Sequence, residues 1–162
     1  MEKSHVSGVA KDKNVARVAV VGVKDEPGIA YKIFSLLAKQ GINVDLILQS
    51  IGRNNTKDIS FTIRREDMEQ AKELLEEQQE AIRFDHIDLS GGVAKVSIVG
   101  AGMIGNPGVA ARMFEALYQA DINIHMISTS EIKVSVLVDE GDADRAVQAV
   151  HDKFYGEFDR MH

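Results

Sequence analysis

Val18-Ala19-Val20-Val21-Gly22-Val23-Lys24-Asp25-Glu26-Pro27-Gly28 decides the fold, together with the stretch that answers it, Gly41-Ile42-Asn43-Val44-Asp45-Leu46-Ile47-Leu48-Gln49. The Val- and Ala-rich opening suits a strand buried on at least one face. Pro27 suits the first turn of a helix, where its missing N–H has no partner to lose. Ile29, Ile33, Leu36 and Leu37 then recur at helical spacing, and Gly41 falls where a glycine would end that helix. Val44 to Leu48 reads as a second strand. The stretch is therefore strand, polar loop, helix, strand.

Working outward, Gly52-Arg53-Asn54-Asn55 is a turn, and the alternation from Ile59 to Ile63 predicts a third strand. A Glu- and Gln-rich helix is expected from about Asp67 to Gln79, burying Met68, Ala71 and Leu75. Ala81 to Leu89 fits a fourth strand. The order βαββαβ is the split-βαβ arrangement of ferredoxin-like folds. Beyond Gly91-Gly92 the pattern returns. Strand Val93 to Val99, helix Pro107 to Gln119, and strands Asn123 to Ser128 and Ile132 to Val138 are expected in turn. A last helix from Asp142 to Phe154 places Ala143, Ala146, Val147, Val150 and Phe154 on one face. Pro27 and Pro107, like Asn43 and Asn123, are 80 residues apart, so the two units form an internal repeat.

The second copy is one strand short. Only Tyr155 to His162 follows its last helix, which makes a poor strand and reads as a tail. A sheet edge would be left empty. The spare strand is Val6 to Ala10, at the other end of the chain. The expected architecture is α+β, with two ferredoxin-like units in tandem, interlocked because the N-terminal strand completes the second. The first would span 15–90, and the second 92–155 with about 4–10.

Composition narrows the function. The chain has 162 residues, 44% apolar and 27% charged, and is long enough to bury a core. It has no apolar run of bilayer length and no apolar signal-peptide core, which implies a cytoplasmic protein with no membrane partner. Cysteine is absent, which removes disulfides and thiolate metal sites. A net charge of -6 with scattered cations argues against a nucleic-acid partner. Phe61 and Phe84 alone give the sheet little on which to stack bases.

Catalytic motifs are missing. Gly100-Ala101-Gly102-Met103-Ile104-Gly105 spells GxGxxG, but Asn106-Pro107-Gly108 separates it from the helix, and the acid near the expected spacing, Asp121, precedes the next strand instead of ending it. His5, His86, His125, His151 and His162 share no metal-ligand spacing, so no metal site is expected. No serine sits in a G-x-S-x-G elbow, and no catalytic residue is assigned. The acidic run Glu66 to Glu80 reads as a solvated helix face.

The repeated loop remains. Asp25 to Gly28 sets a carboxylate and backbone N–H groups at a helix start, an arrangement suited to a small zwitterion. Asn43, Asp45 and Gln49 supply further polar groups on the adjoining strand. From spacing alone, helix capping with a turn accounts for the same residues.

The phrases Val21-Gly22-Val23 with Asp25-Glu26-Pro27-Gly28, and Ile42-Asn43-Val44-Asp45 through Leu48-Gln49, resemble the paired ACT domains in the regulatory part of aspartate kinase. So do Lys95-Val96-Ser97-Ile98-Val99-Gly100-Ala101-Gly102-Met103, Pro107-Gly108-Val109, and Ile127-Ser128-Thr129-Ser130-Glu131-Ile132-Lys133-Val134-Ser135. The resemblance runs from about Gly8 to Phe154. It implies a separate regulatory subunit or an excised regulatory region, without cofactor or catalytic residues of its own, that serves a phosphotransferase acting on the aspartate carboxylate. It further implies allosteric feedback inhibition by threonine, often jointly with lysine, bound between ACT units of two chains in a homodimer. By motif match the first unit offers Asp25, Gly28, Ile29, Ala30, Asn43, Asp45 and Gln49 to the effector. The second offers Val109, Asn123, Ile124 and Ser130. Ala110 stands where relatives commonly carry Thr, which removes a hydroxyl contact. Two rival readings remain: an ACT-type amino-acid sensor for a different enzyme or promoter, and a nucleotide-dependent enzyme using Gly100 to Gly105.

Overall fold

The computed structural model describes residues 6–100 and 108–156. Strand β1 (Val6–Asp12) opens the chain. Then come β2 (Ala16–Lys24), α1 (Ile29–Lys39), β3 (Ile47–Ile51), β4 (Thr56–Ile63), α2 (Met68–Glu77), the single turn α3 (Gln79–Ile82) and β5 (His86–Ser90). The repeat follows as β6 (Val93–Gly100), α4 (Gly108–Gln119), β7 (Met126–Thr129), β8 (Lys133–Asp139) and α5 (Ala143–His151), which runs into a π-helical turn at Asp152–Gly156.

One compact unit is Asn14–Gly91. Its sheet has the order β3-β4-β2-β5, with every neighbouring pair antiparallel. Val18 and Val20 of β2 and Ile59 and Phe61 of β4 point to one face and are fully buried. Against them pack Ile33 and Leu37 of α1 and Ala71 and Leu75 of α2, at the spacing of one helical stripe. Phe34 meets the ring of Phe61 edge-on, with centroids 5.3 Å apart.

The other unit joins the chain from Gly92 onward to the N-terminal segment. Its sheet has the order β1-β6-β8-β7. Strand β1 pairs antiparallel with β6, Val9 opposite Ile98 and Lys11 opposite Val96, in the place that β5 takes in the first sheet. The expectation that the N-terminal segment fills the vacant edge holds. Val6 and Val9 pack against a core of Val96, Ile98, Val136, Met113, Leu117 and Val150. Lys11 reaches Asp144 on α5 in an ion pair, and the Tyr155 hydroxyl donates to the Val6 carbonyl at 3.3 Å.

Several boundaries move. Ala81 and Ile82, expected in a strand, belong to α3; Ile82 is 3% exposed in the core, and β5 begins only at His86, after Arg83 turns the chain at φ 63°. An apolar pair is compatible with either element, and burial from a helical turn wins here. The strand expected from Val44 starts at Ile47, because the Thr62 side chain intervenes: its Oγ1 accepts the Leu46 N–H at 2.9 Å, while its carbonyl accepts the Asp45 N–H. Likewise the strand expected from Asn123 starts at Met126. Helix α1 starts at Ile29 and not at Pro27, since Gly28 breaks the helical path at φ 90°. Pro107, Asn106 and the glycine motif beyond Gly100 lie outside the described residues, as does the tail from Glu157.

Candidate functional site

Asp25 follows the last residue of β2, and its N–H donates to the Asn55 carbonyl at 2.8 Å, so the loop is tied to the β3–β4 turn. The exposed Asp25 carboxylate lies 3.4 Å from Lys57 Nζ. Sequence reasoning missed Lys57, which faces Asp25 only because β2 and β4 pair there, Val23 opposite Lys57. Gly28 caps α1 in the left-handed region, where a Cβ would meet nothing within 4 Å; the demand for glycine is one of backbone angle, not space. Among the described residues no side chain caps the helix, which leaves its first turn available to an outside acceptor. Ile29 is 1% exposed and serves the core, so only its backbone is offered to the loop, and Ala30 is partly buried.

Gln49 lies on β3 opposite Ile59, hence on the helix-bearing face of the sheet and two residues short of Ile51, which pairs with Lys57. Loop Asp25 to Gly28, Ala30 and Gln49 therefore share one end of the unit. Asn43 and Asp45 do not. They follow the C-terminal end of α1, and an 11-residue helix separates its ends by about 16 Å. Both are exposed, in the segment entering β3 and not on the strand itself. The expectation that Asn43 and Asp45 stand beside the Asp25 loop is corrected within one unit. They face solvent at the far end of the same edge.

That edge is bare. All five residues of β3 are exposed, including Ile47 at 53%, Leu48 at 41% and Ile51 at 98%. An unpaired strand edge carrying large apolar side chains is a pairing surface. Tyr31 on α1 is exposed as well. The sequence signal was present, since Ile47, Leu48 and Ile51 do not alternate cleanly, but on its own it read only as a strand.

In the second unit Val109 is 2% exposed and committed to the core, so its backbone is what it presents. Asn123 is exposed and Ile124 half-buried in the segment leading to β7, an edge strand of the second sheet, where Ile127 is 48% exposed. Ser130 N–H donates to the Lys133 carbonyl at 2.7 Å and forms the β7–β8 turn. Ala110 offers a methyl group. At the position equivalent to Asp45 stands His125, whose Nε2 lies 2.8 Å from Asp139 Oδ1.

Elsewhere in the first unit, the hydrogen bond that His86 Nδ1 donates to the Asp85 carboxylate raises the His86 pKa above its usual value, with Asp88 adding to the effect. Among the described residues no three His, Cys, Asp or Glu side chains gather as a metal site, and no helix is long and apolar enough to cross a membrane.

Comparison with known proteins places this architecture. An ACT-domain family model matches twice, over residues 18–79 and 96–154. The aspartokinase of Helicobacter pylori is 50% identical over 151 residues, which is 93% of this chain and 37% of that one. The aspartokinase of Corynebacterium efficiens is 44% identical over 156 residues, again 37% of its length. The chain thus spans little more than a third of these relatives. A crystal structure of aspartokinase alpha and beta subunits contains a chain 49% identical to this one, with a TM-score of 0.87 and coverage of 93% here and 99% there. The ligand-free regulatory subunit of aspartate kinase from Thermus thermophilus is 39% identical, with a TM-score of 0.88 and the same coverage. With two family matches on two ferredoxin-like units, and near-complete coverage of a regulatory subunit, this chain belongs to the ACT-domain family, in the tandem form that makes up the regulatory part of aspartate kinase.

Proposed function

We propose that this chain is the amino-acid sensor of an aspartate kinase, binding threonine, jointly with lysine, and restraining phosphorylation of the aspartate carboxylate by a catalytic subunit or domain in the cytoplasm. The observation that carries this reading is the division of the polar residues between two ends of one bare edge. Asp25, the uncapped α1 N-terminus at Gly28 and Gln49 lie at one end, with Asn43 and Asp45 at the other. An edge-to-edge antiparallel approach of a second unit brings the loop end of one beside the strand-entry end of the other. In a homodimer the first unit's loop then meets Asn123 and Ile124 at the β7 entry of its partner's second unit, Ser130 at the β7 exit falls beside the strand-entry end that carries Asn43 and Asp45, and the apolar strands β3 and β7 bury one another.

The chemistry of each part follows. The N–H groups at the start of α1, with Gly28 to Ala30 supplying backbone, take the effector carboxylate, and Val109 offers the equivalent backbone at the start of α4 to a seam of the second unit's own. Asp25 takes the ammonium, in exchange for its exposed contact with Lys57. Gln49 and Asn123 hold the side-chain hydroxyl. Bound effector tightens the seam and stabilises the inhibited arrangement because it binds that arrangement more strongly. Such coupling is about 1–3 kcal/mol. Titration of threonine and of lysine by calorimetry tests the assignment. Asp25→Ala and Gln49→Ala should each weaken threonine binding at least about tenfold while the fold survives, as expected for loss of a charged or bidentate polar contact. Unchanged affinity in both variants would remove these residues from the site.

A further inference from the structure

The β3-β4-β2-β5 sheet carries the helices of its own unit on one face, and its other face carries an open hollow of about 220 Å³. The lining alternates with the core-facing residues of the same strands: Arg17 on β2, Ser50 on β3, Asp58 and Ser60 on β4, and Asp88 and Ser90 on β5. Ala19, 7% exposed, forms the floor between Ser60 and Asp88, with which it pairs on either side. None of these residues belongs to the loop site.

Arg17 is the anomaly. The residue is half-buried, and among the described residues its Nε, shut off from water, has no partner and its Nη2 makes only a long 3.4 Å bond to the neutral Ser60 hydroxyl. Other arginines are compensated: Arg64 by Glu66 and Asp67, Arg145 by Asp142, and Arg112 by the face of the Phe154 ring. A desolvated cation with an unfilled Nε–H is unfavourable until an anion arrives, and a guanidinium presents donors in the fork that fits a carboxylate. The three serine hydroxyls add neutral donors and acceptors around it. Asp58 and Asp88 disfavour a purely anionic guest and favour one that also carries an ammonium group. Asp58 has one oxygen engaged by the Gly22 N–H at 2.9 Å, which fixes its position on the rim. Ser60 and Asp58 are two residues apart on one strand face, about 7 Å.

We propose that this hollow is a second small-molecule site, taking a short amino-carboxylate whose carboxylate sits on Arg17 and Ser60 and whose ammonium points to Asp58. The spacing fits a molecule with its two charges several ångströms apart, and differs from the compact α-amino-acid head suited to the Asp25 loop.

The test uses the full chain, with 4-aminobutyrate as the probe and the Arg17 Nε–Hε resonance as the readout. Titration should shift that resonance saturably, together with the amides of Ser50, Ser60 and Ser90. Arg17→Gln should weaken the amide response about tenfold or more, and Arg17→Lys, which keeps the charge but not the fork, should weaken it less. Asp25→Ala, which disables the loop site, should leave the response intact, so the two readings fail separately. An Arg17 resonance unmoved in the wild-type protein would overturn the proposal without any variant. So would an amide response that Asp25→Ala abolishes or that a folded Arg17→Gln variant retains.

Discussion

The two units share a topology but close their sheets differently. The first finishes with β5, made after its own second helix, whereas the second is finished by β1, made before the first unit begins. The first is therefore continuous in sequence. The second cannot pair all of its edges until the whole of the first has been threaded between β1 and β6. A second contrast accompanies this one. The first unit offers an acid before its proline and Asp45 at the strand entry, while the second has Asn106 and His125 at the equivalent positions. Duplication preserved the scaffold, and the chemistry at its edges diverged.

The strongest way to break the comparison is to remove residues 1–13. Strand β6 then loses its outer neighbour, and Val6 and Val9 no longer cover Val96 and Ile98. We expect amide protection across β6, β7 and β8 to collapse, a loss on the order of the unit's whole stability, about 5 kcal/mol or more. Protection in β2 and β4 should persist. Hydrogen exchange read strand by strand checks this, and equal loss in both units would show that they do not fold as separate cores.

Next in size is the core of the first unit. Phe61 is fully buried and in edge contact with Phe34, so Phe61→Ala should cost about 3–5 kcal/mol in denaturant unfolding. The matching change Leu117→Ala in α4 should cost about 2–5 kcal/mol and act on the second unit instead. Thr62→Val is smaller. It removes the acceptor of the buried Leu46 N–H, with an expected loss of about 1–3 kcal/mol, and should loosen the entry to β3 in particular.

The smallest effects have opposite signs with pH. In the first unit His86 is raised by its hydrogen bond to Asp85, so its contribution is fully present below the usual histidine value of 6.5 and fades as pH rises through the higher folded value. In the second unit Asp144 is lowered by the hydrogen bond and charge of Lys11, with Lys13 assisting; its contribution is present above 3.8 and fades as pH falls through the lower folded value. His86→Gln should flatten the alkaline side of the stability profile and Asp144→Asn the acidic side, each by a small amount because the groups are exposed. Exchange of the two effects between the variants would contradict the assignment.

Much of this was legible from the residues. Helical spacing in Ile29, Ile33 and Leu37, the strand alternation of Ile59 to Ile63, and the 80-residue repeat led to the fold, and the shortage of a strand after α5 led to β1. Boundaries were less legible, because a local pattern does not reveal a tertiary partner. Thr62 decides where β3 begins, and the burial of Ile82 converts a strand-like pair into a helical turn. The site was half legible. Glycine and acid spacing marked the Asp25 loop, and the helix read between Pro27 and Gly41 already put Asn43 and Asp45 at its far end, yet nothing in the residues placed Lys57 or the Asn55 carbonyl against Asp25. Long-range pairing creates those relations.

The central claim is that the effector site is shared between two chains, the loop of one against the strand entry of the other. Calorimetric titration of threonine into a co-refolded mixture of Asp25→Ala and Asn123→Ala chains tests it most directly. Neither variant alone should bind with wild-type affinity, and the mixture should recover wild-type affinity at a reduced number of sites, because mixed dimers carry one intact seam. A mixture as silent as its two components, or an Asn123→Ala chain that alone binds like the wild type, would contradict the account.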